Sequence, residues 1–253
     1  MVENPFKSLL EMQAETTENF CDKHELAKIR ILRTNKIICP TCEYEKIQSD
    51  NQRLVDEFAK ADKENERRYY LNKFSLFDQV LAEATLENYN TPTSKESEKL
   101  KEAQRMCQEW LEGNRNNIVF QGNAGTGKSH LAFGIIKKAS ETNGEIAIFM
   151  NVADLFSLLK SDFNQEAAIV DKLTAAKYLV LDDLGMENNT EWTFRVLYSI
   201  LNRRSNTIIT TNLTASQIET RYGRPFLDRV MKGVDKKHVL KFDDIESKRR
   251  QYF

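Results

Sequence analysis

The spacing of apolar positions changes along the chain. Residues 48–80 are densely charged and contain neither Gly nor Pro; within them Leu54, Val55, Phe58 and Ala61 recur at helical spacing, which predicts an amphipathic helix. A solvated spacer is the plainer reading of that helix, and a partner-binding face the sharper one. From about residue 81 short apolar runs take over, at 118–121, 146–150, 178–181, 207–210 and 239–242. Between them lie segments of helical period: 128–141 with Leu131, Ile135 and Ile136 on one side, 153–163, 167–176, and 192–204 with Phe194, Leu197, Tyr198 and Leu201. Continuous rather than alternating apolar runs, interleaved with helices, predict an α/β domain whose parallel sheet is covered on both faces. No internal repeat is visible. The expected organisation is a small module over 1–47, a helical linker over 48–80 and an α/β domain over 81–253.

Composition narrows the classes without choosing among them. The 253 residues are 40% hydrophobic and 30% charged, with 37 basic against 38 acidic residues. Such a chain suits a globular protein, and any contact with nucleic acid must be local. No apolar run reaches the roughly 18 residues of a membrane span. Residues 1–15 lack the basic-then-apolar pattern of a secretory signal. The expectation is a cytoplasmic protein with no membrane partner.

The first candidate chemistry is the loop Gly122-Asn123-Ala124-Gly125-Thr126-Gly127-Lys128-Ser129, a full match to the Walker A phosphate-binding pattern, followed by His130. It stands where that pattern needs to stand, after an apolar strand and before a helix. Its glycines permit backbone conformations closed to other residues, so that loop N–H groups converge on a phosphate at the positive end of the next helix. Lys128 is expected to reach the β- and γ-phosphates of ATP, and the Ser129 hydroxyl to ligate Mg²⁺. Downstream, Tyr178-Leu179-Val180-Leu181 delivers Asp182 and Asp183 to the carboxyl end of a strand. Asp182 is the candidate magnesium ligand and Asp183 the candidate for polarising the attacking water. Many ATPases carry glutamate at the second position; the shorter aspartate suggests different geometry and slow turnover. Asn212, at the tip of the fourth strand, is the candidate sensor of the γ-phosphate or the lytic water.

Cysteine usage points to a second chemistry. Three of the four cysteines join one histidine as Cys21-x₂-His24 and Cys39-x₂-Cys42, the halves separated by fourteen residues. Two tight pairs of soft and borderline ligands suit tetrahedral Zn²⁺ with no open position, hence a structural site. About 47 residues cannot bury much core, and metal binding would supply the missing folding free energy. Cys107 reads as a packing residue on a helix over 104–111.

With these motifs in order, residues 85–250 resemble the AAA+ ATPases of the DnaC/DnaI helicase-loader type. Leu86-Glu87-Asn88-Tyr89 resembles the box that precedes the phosphate loop, and the resemblance implies that Tyr89 lines the adenine pocket. Asn151-Val152-Ala153-Asp154-Leu155-Phe156, Leu181-Asp182-Asp183-Leu184-Gly185 and Thr210-Thr211-Asn212-Leu213 resemble later boxes in their expected order. Arg224-Pro225-Phe226-Leu227-Asp228-Arg229-Val230 resembles the box carrying the arginine finger. This implies that Arg229 enters a neighbouring subunit's ATP site, with Arg221 and Arg224 as competitors. Ser247-x-Arg249 resembles the closing box and implies either a sensor-2-like role for Arg249 or a solvated basic tail, with no helical lid expected beyond it. The resemblance further implies that Lys160 and Phe163 face a pore and touch single-stranded DNA, although Phe163 could equally pack on the sheet. An N-terminal zinc module contacting the helicase is also a feature of DnaI-type loaders. The implied function is an ATP-driven homo-oligomeric ring or spiral that grips a hexameric replicative helicase and places it on single-stranded DNA. An IstB-like transposition helper and a zinc adaptor that uses nucleotide only as a switch are the alternatives.

Overall fold

The structure, a computed structural model, describes residues 14–248, and the chain divides into two compact units, residues 1–62 and 63–253. In the first unit three short strands, β1 (Ala14–Phe20), β2 (Ala27–Ile31) and β3 (Lys36–Ile38), form an antiparallel sheet in sequence order. Glu25 and Asn35, both at positive φ, stand in the two connections. Helix α1 (Pro40–Tyr69) follows, with proline in the first turn, where its missing N–H costs nothing. It starts before and ends short of the linker bounds expected from the sequence. None of its residues is buried. Intrahelical pairs such as Arg68–Glu64 at 2.5 Å and Arg53–Glu57 at 3.7 Å line it, each worth a few tenths of a kcal/mol. Among the described residues of this unit only Cys21 and Cys39 are buried, so the sheet has almost no apolar core.

The second unit is built on a five-stranded, wholly parallel sheet. Its strands are β4 (Ile118–Gln121), β5 (Ala147–Asn151), β6 (Tyr178–Leu184), β7 (Thr207–Thr211) and β8 (Val239–Lys241), in spatial order β5-β6-β7-β4-β8. Every strand run expected from the sequence is present, with ends shifted by a few residues. Alternate strand residues feed two separate cores. Phe120, Phe149, Tyr178, Val180 and Ile208 pack on one face, where α2 (Ser94–Leu111) and α3 (Lys128–Asn143) contribute Met106, Trp110, Phe133 and Ile136. Val119, Ile148, Met150, Leu179, Leu181 and Ile209 pack on the other. There they meet α4 (Val152–Ser161), α5 (Glu166–Ala175), α6 (Glu191–Asn202), α7 (Ala215–Tyr222) and α8 (Arg224–Val230). Burial on both faces is why the strands read as unbroken apolar runs. Cys107 is buried on α2 with its Sγ 3.8 Å from the Ile135 carbonyl, a packing position.

The strand order decides where the chemistry lies. β7 runs between β4, which leads into the phosphate loop, and β6, which carries the paired aspartates. The end of β7 therefore faces both. Helices α7 and α8, which the apolar pattern does not announce, are short: α7 opens with a Thr214–Gln217 capping box and α8 carries a proline in its first turn.

Candidate nucleotide site and candidate metal centre

The loop at 122–129 has a backbone that only glycine adopts freely. Gly122, Gly125 and Gly127 have φ of 141°, 78° and 92°. A Cβ on Gly122 would lie 2.8 Å from the Phe242 carbonyl carbon, and one on Gly127 would lie 2.8 Å from the Tyr89 ring. The loop is thus pressed between the chain leaving β8 and the aromatic residue of the 86–89 segment. Asn123 O accepts the Thr126 hydroxyl at 2.9 Å, closing the turn. Helix α3 begins at Lys128, so the positive end of its dipole opens into this loop. The buried Lys128 ammonium donates to the carbonyls of Gly122 and Asn123 at 2.8 and 2.7 Å and to Asn212 Oδ1 at 2.9 Å. Asn212, one residue past β7, therefore holds the loop lysine across the sheet edge.

Asp182 is 4% exposed and lies at the mouth of the same loop. Its Oδ2 accepts the Ser129 hydroxyl at 3.1 Å and its Oδ1 accepts the Thr210 hydroxyl at 2.6 Å. Burial first, and the neighbouring Asp183 second, push its pKa up to about 6. Ser129 and Asp182, 53 residues apart in sequence, are thus brought to one point. A hydroxyl paired with a buried carboxylate suits a hard divalent ion, which would reverse the desolvation penalty on the carboxylate.

Asp183 sits on a bulge. The β6–β7 register runs from Leu181↔Ile209 to Leu184↔Thr211, one extra residue on β6. Asp183 has φ of 57°, and its N–H donates to Thr210 Oγ1 at 2.9 Å. Aspartate tolerates this left-handed conformation better than most residues, a physical reason for finding it here in place of the commoner glutamate.

Tyr89 is buried against the loop, its hydroxyl donating to the Thr126 carbonyl at 3.3 Å. Over its ring, 4.0 Å from the centroid, lies the Lys248 ammonium, which also donates to Asn90 O at 2.7 Å. The Lys248 N–H donates to Gly125 O at 2.9 Å. Arg249 lies outside the described residues; its neighbour Lys248 is the basic residue seen on the loop, and sequence reasoning missed it. His130 turns away from the loop. Its Nε2 lies 2.9 Å from both Thr85 O and Asn88 Oδ1, and burial holds its pKa below the usual histidine value.

The three candidate arginines differ in their commitments. Arg224 is exposed and paired with Asp228 at 3.2 Å and Glu219 at 3.6 Å. Arg221 is bound within its own chain to Glu187. Arg229, on α8, is half-buried over the Tyr198 ring at 5.9 Å, and its Nε has no hydrogen-bond partner among the described residues. Lys160 is exposed at the end of α4. Phe163 does not enter the sheet: it is 63% exposed, its ring 5.6 Å from that of Trp192.

In the first unit the ligand atoms of Cys21, His24, Cys39 and Cys42 all lie within 4.8 Å of one another. His24 Nδ1 is 3.7, 3.6 and 3.3 Å from the three sulfurs, and Cys21 and Cys42 are 3.6 Å apart. A tetrahedron with Zn–S near 2.3 Å and Zn–N near 2.05 Å has edges of about 3.8 Å (S···S) and about 3.6 Å (N···S). The cluster has the size of a zinc site. His24 Nε2 lies 3.1 Å from Glu45 Oε1, which leaves Nδ1 directed at the thiols. Glu45, three residues past Cys42 on α1, was legible only as a helix-face neighbour of a ligand.

Three likenesses to known proteins bear on this geometry. The replicative helicase loader DnaC of Escherichia coli K12 is 26% identical over 172 residues, which cover 65% of this chain and 69% of DnaC. A crystal structure of the DnaC helicase loader superposes with a TM-score of 0.56 at 22% identity, covering 65% of this chain and 99% of that one. A crystal structure of DnaI gives 0.56 at 19% identity, covering 66% and 92%. At these identities the two structures establish the fold alone, a parallel sheet covered by helices on both faces. The family described as IstB-like ATP binding protein matches residues 41–251, which takes in the whole parallel sheet and leaves Cys21, His24 and Cys39 outside. With a match over most of its length, the chain belongs to the IstB-like ATP binding protein family.

Proposed function

We propose that the protein is an ATP-hydrolysing loader that binds a hexameric DnaB-type replicative helicase and deposits it on single-stranded DNA in the cytoplasm. The observation that carries the ATPase reading is the convergence of Lys128, Ser129, Asp182, Asp183 and Asn212, from three segments of chain, at one sheet edge. Lys128 and the loop N–H groups bind the β- and γ-phosphates, and Tyr89 and Lys248 border the nucleotide's other end. Ser129 and Asp182 hold Mg²⁺, which when bound neutralises charge on the phosphate oxygens. Asp183 orients a water for attack on the γ-phosphorus and takes up its proton as the bond to ADP breaks. Arg229 of a second copy completes the site in a ring or spiral. Lys160 and Phe163, both exposed, are the DNA contacts of this reading.

The loader assignment rests on likeness to DnaC together with the Cys/His cluster, whose Cys21, His24, Cys39 and Cys42 would hold Zn²⁺. A metal held there would supply folding free energy and no chemistry of its own. A second reading, an IstB-like transposition helper, is consistent with membership of the IstB-like ATP binding protein family. Two measurements test these proposals. ATP turnover, stimulated by single-stranded DNA, is expected and is lost in Lys128→Ala; a wild type without turnover under any condition leaves only a nucleotide switch. The purified protein is expected to capture a DnaB-type helicase in the presence of ATP, whereas capture of a transposase alone selects the second reading.

A further inference from the structure

The loop that follows the paired aspartates is tied to the helix pair that ends in Arg229, and the tie is a buried carboxylate. Glu187 is 5% exposed, its side chain fully covered. Its Oε2 accepts the Gly185 N–H at 3.0 Å. Its Oε1 accepts the Tyr222 hydroxyl in a short bond and pairs with Arg221 Nη2 at 3.4 Å. The same Nη2 donates to the Glu187 carbonyl, and Asn189 Nδ2 donates to the Arg221 carbonyl at 3.2 Å. Arg221 and Tyr222 are the last two residues of α7; Gly223, at φ of 86°, leads directly into α8 and Arg229.

On the other side the same loop is fastened to the active-site edge. The Thr211 hydroxyl donates to Leu184 O at 2.7 Å, Met186 N–H to Asp183 O at 3.1 Å, and Asp183 N–H to Thr210. Gly185 has φ of 105°, and a Cβ there would lie 2.6 Å from the Leu213 side chain, so the loop has little freedom to shift. Every bond from Glu187 thus ends either two residues from Asp183 or on the turn that launches α8.

The Glu187 carboxylate is fully covered while the Arg221 side chain is 28% exposed, and such a partly buried pair is a poor way to stabilise a fold, because desolvation offsets much of its attraction. It does fix geometry, since a half-satisfied arrangement is costly. We propose that Glu187, with Arg221 and Tyr222, is a positioning brace that sets Asp183 for water attack in its own subunit and sets α8 so that Arg229 reaches the neighbouring site. This rests on the roles given above to Asp183 and Arg229. It also commits Arg221 Nη2 to Glu187 within its own chain, while Arg221 Nε, like that of Arg229, has no hydrogen-bond partner among the described residues.

The test uses the full-length protein and separates nucleotide binding from turnover. Glu187→Gln and Arg221→Ala are expected to bind a fluorescent ATP analogue, and to show KM, within about twofold of wild type while kcat falls about tenfold or more. Should either variant fold poorly, Tyr222→Phe, which removes one hydroxyl, is expected to show the same split to a smaller degree. Unchanged kcat in folded Glu187→Gln and Arg221→Ala overturns the brace, and so does a loss that lies in binding alone. Subunit mixing then separates the two halves. Asp183→Ala mixed with Arg229→Ala is expected to regain turnover, and failure here sinks the trans role of Arg229 without touching the kcat result. Glu187→Gln is expected to rescue neither partner. Rescue of Arg229→Ala confines the brace to Asp183, rescue of Asp183→Ala confines it to α8, and either result overturns the coupling.

Discussion

The Thr210 hydroxyl makes two bonds at once, donating to the Asp182 carboxylate and accepting the Asp183 N–H. One side chain thereby sets both acidic residues, although apolar patterning marks its strand only as buried. Thr210→Val keeps the shape and leaves a buried carboxylate oxygen and a backbone N–H without this partner, a cost of about 1–3 kcal/mol for each. The expected outcome is a kcat reduced about tenfold or more, with activity recovered in Thr210→Ser; equal activity in the valine variant refutes the role. In the other unit Glu45 has a comparable place, holding His24 by the ring nitrogen that faces away from the thiols. Glu45→Gln is expected to retain one zinc per chain but with affinity lowered about 10–100-fold in a chelator competition, whereas Cys39→Ser loses the metal outright. Unchanged affinity in Glu45→Gln refutes the orienting role.

Among the elements, α3 shows how propensity and packing can oppose each other. Gly134 lies mid-helix, where alanine would gain about 1 kcal/mol of helix propensity. The added Cβ would meet the Leu86 backbone nitrogen at 2.9 Å and the Thr85 carbonyl carbon at 3.1 Å. Backbone cannot rotate away as a side chain can, and overpacking costs about 1–3 kcal/mol. Gly134→Ala is therefore expected to lower Tm by a few degrees and to weaken nucleotide binding by displacing the segment that ends in Tyr89. A Tm at or above wild type would show that the segment yields. The same close approach explains why α3, the helix after the phosphate loop, carries a glycine that its amphipathic pattern does not require.

For the whole molecule, the two units obey different energetics. Residues 63–253 bury two extensive apolar cores, one on each face of the sheet. The unit over 1–62 buries only two thiols among its described residues, and on the zinc reading proposed above the metal holds it together. Thermal unfolding is expected to show two transitions, with a chelator abolishing the one from the cysteine unit and leaving the other, together with basal ATP turnover, unchanged. A single chelator-sensitive transition that takes ATP turnover with it overturns this separation.

The features legible in the sequence are those whose physics is local. The loop at 122–129 declares itself because eight consecutive residues supply its glycines, lysine and serine. The strands declare themselves because two-sided burial makes their runs apolar throughout, and the Cys/His cluster because its residues come in tight pairs. Helices α7 and α8 were missed because they are short, and a single turn or two carries too little period to read. Tertiary structure alone decided the rest. The pairing of Ser129 with Asp182, the bulge that turns Asp183 to positive φ, Lys248 lying over Tyr89, and the tie from Glu187 to Arg221 and Tyr222 each join residues from separate elements or depend on strand register. No spacing along the chain encodes such contacts. The pairing of Ser129 with Asp182 follows from β7 running between β4 and β6, an order that the apolar runs, alike in all five strands, leave open.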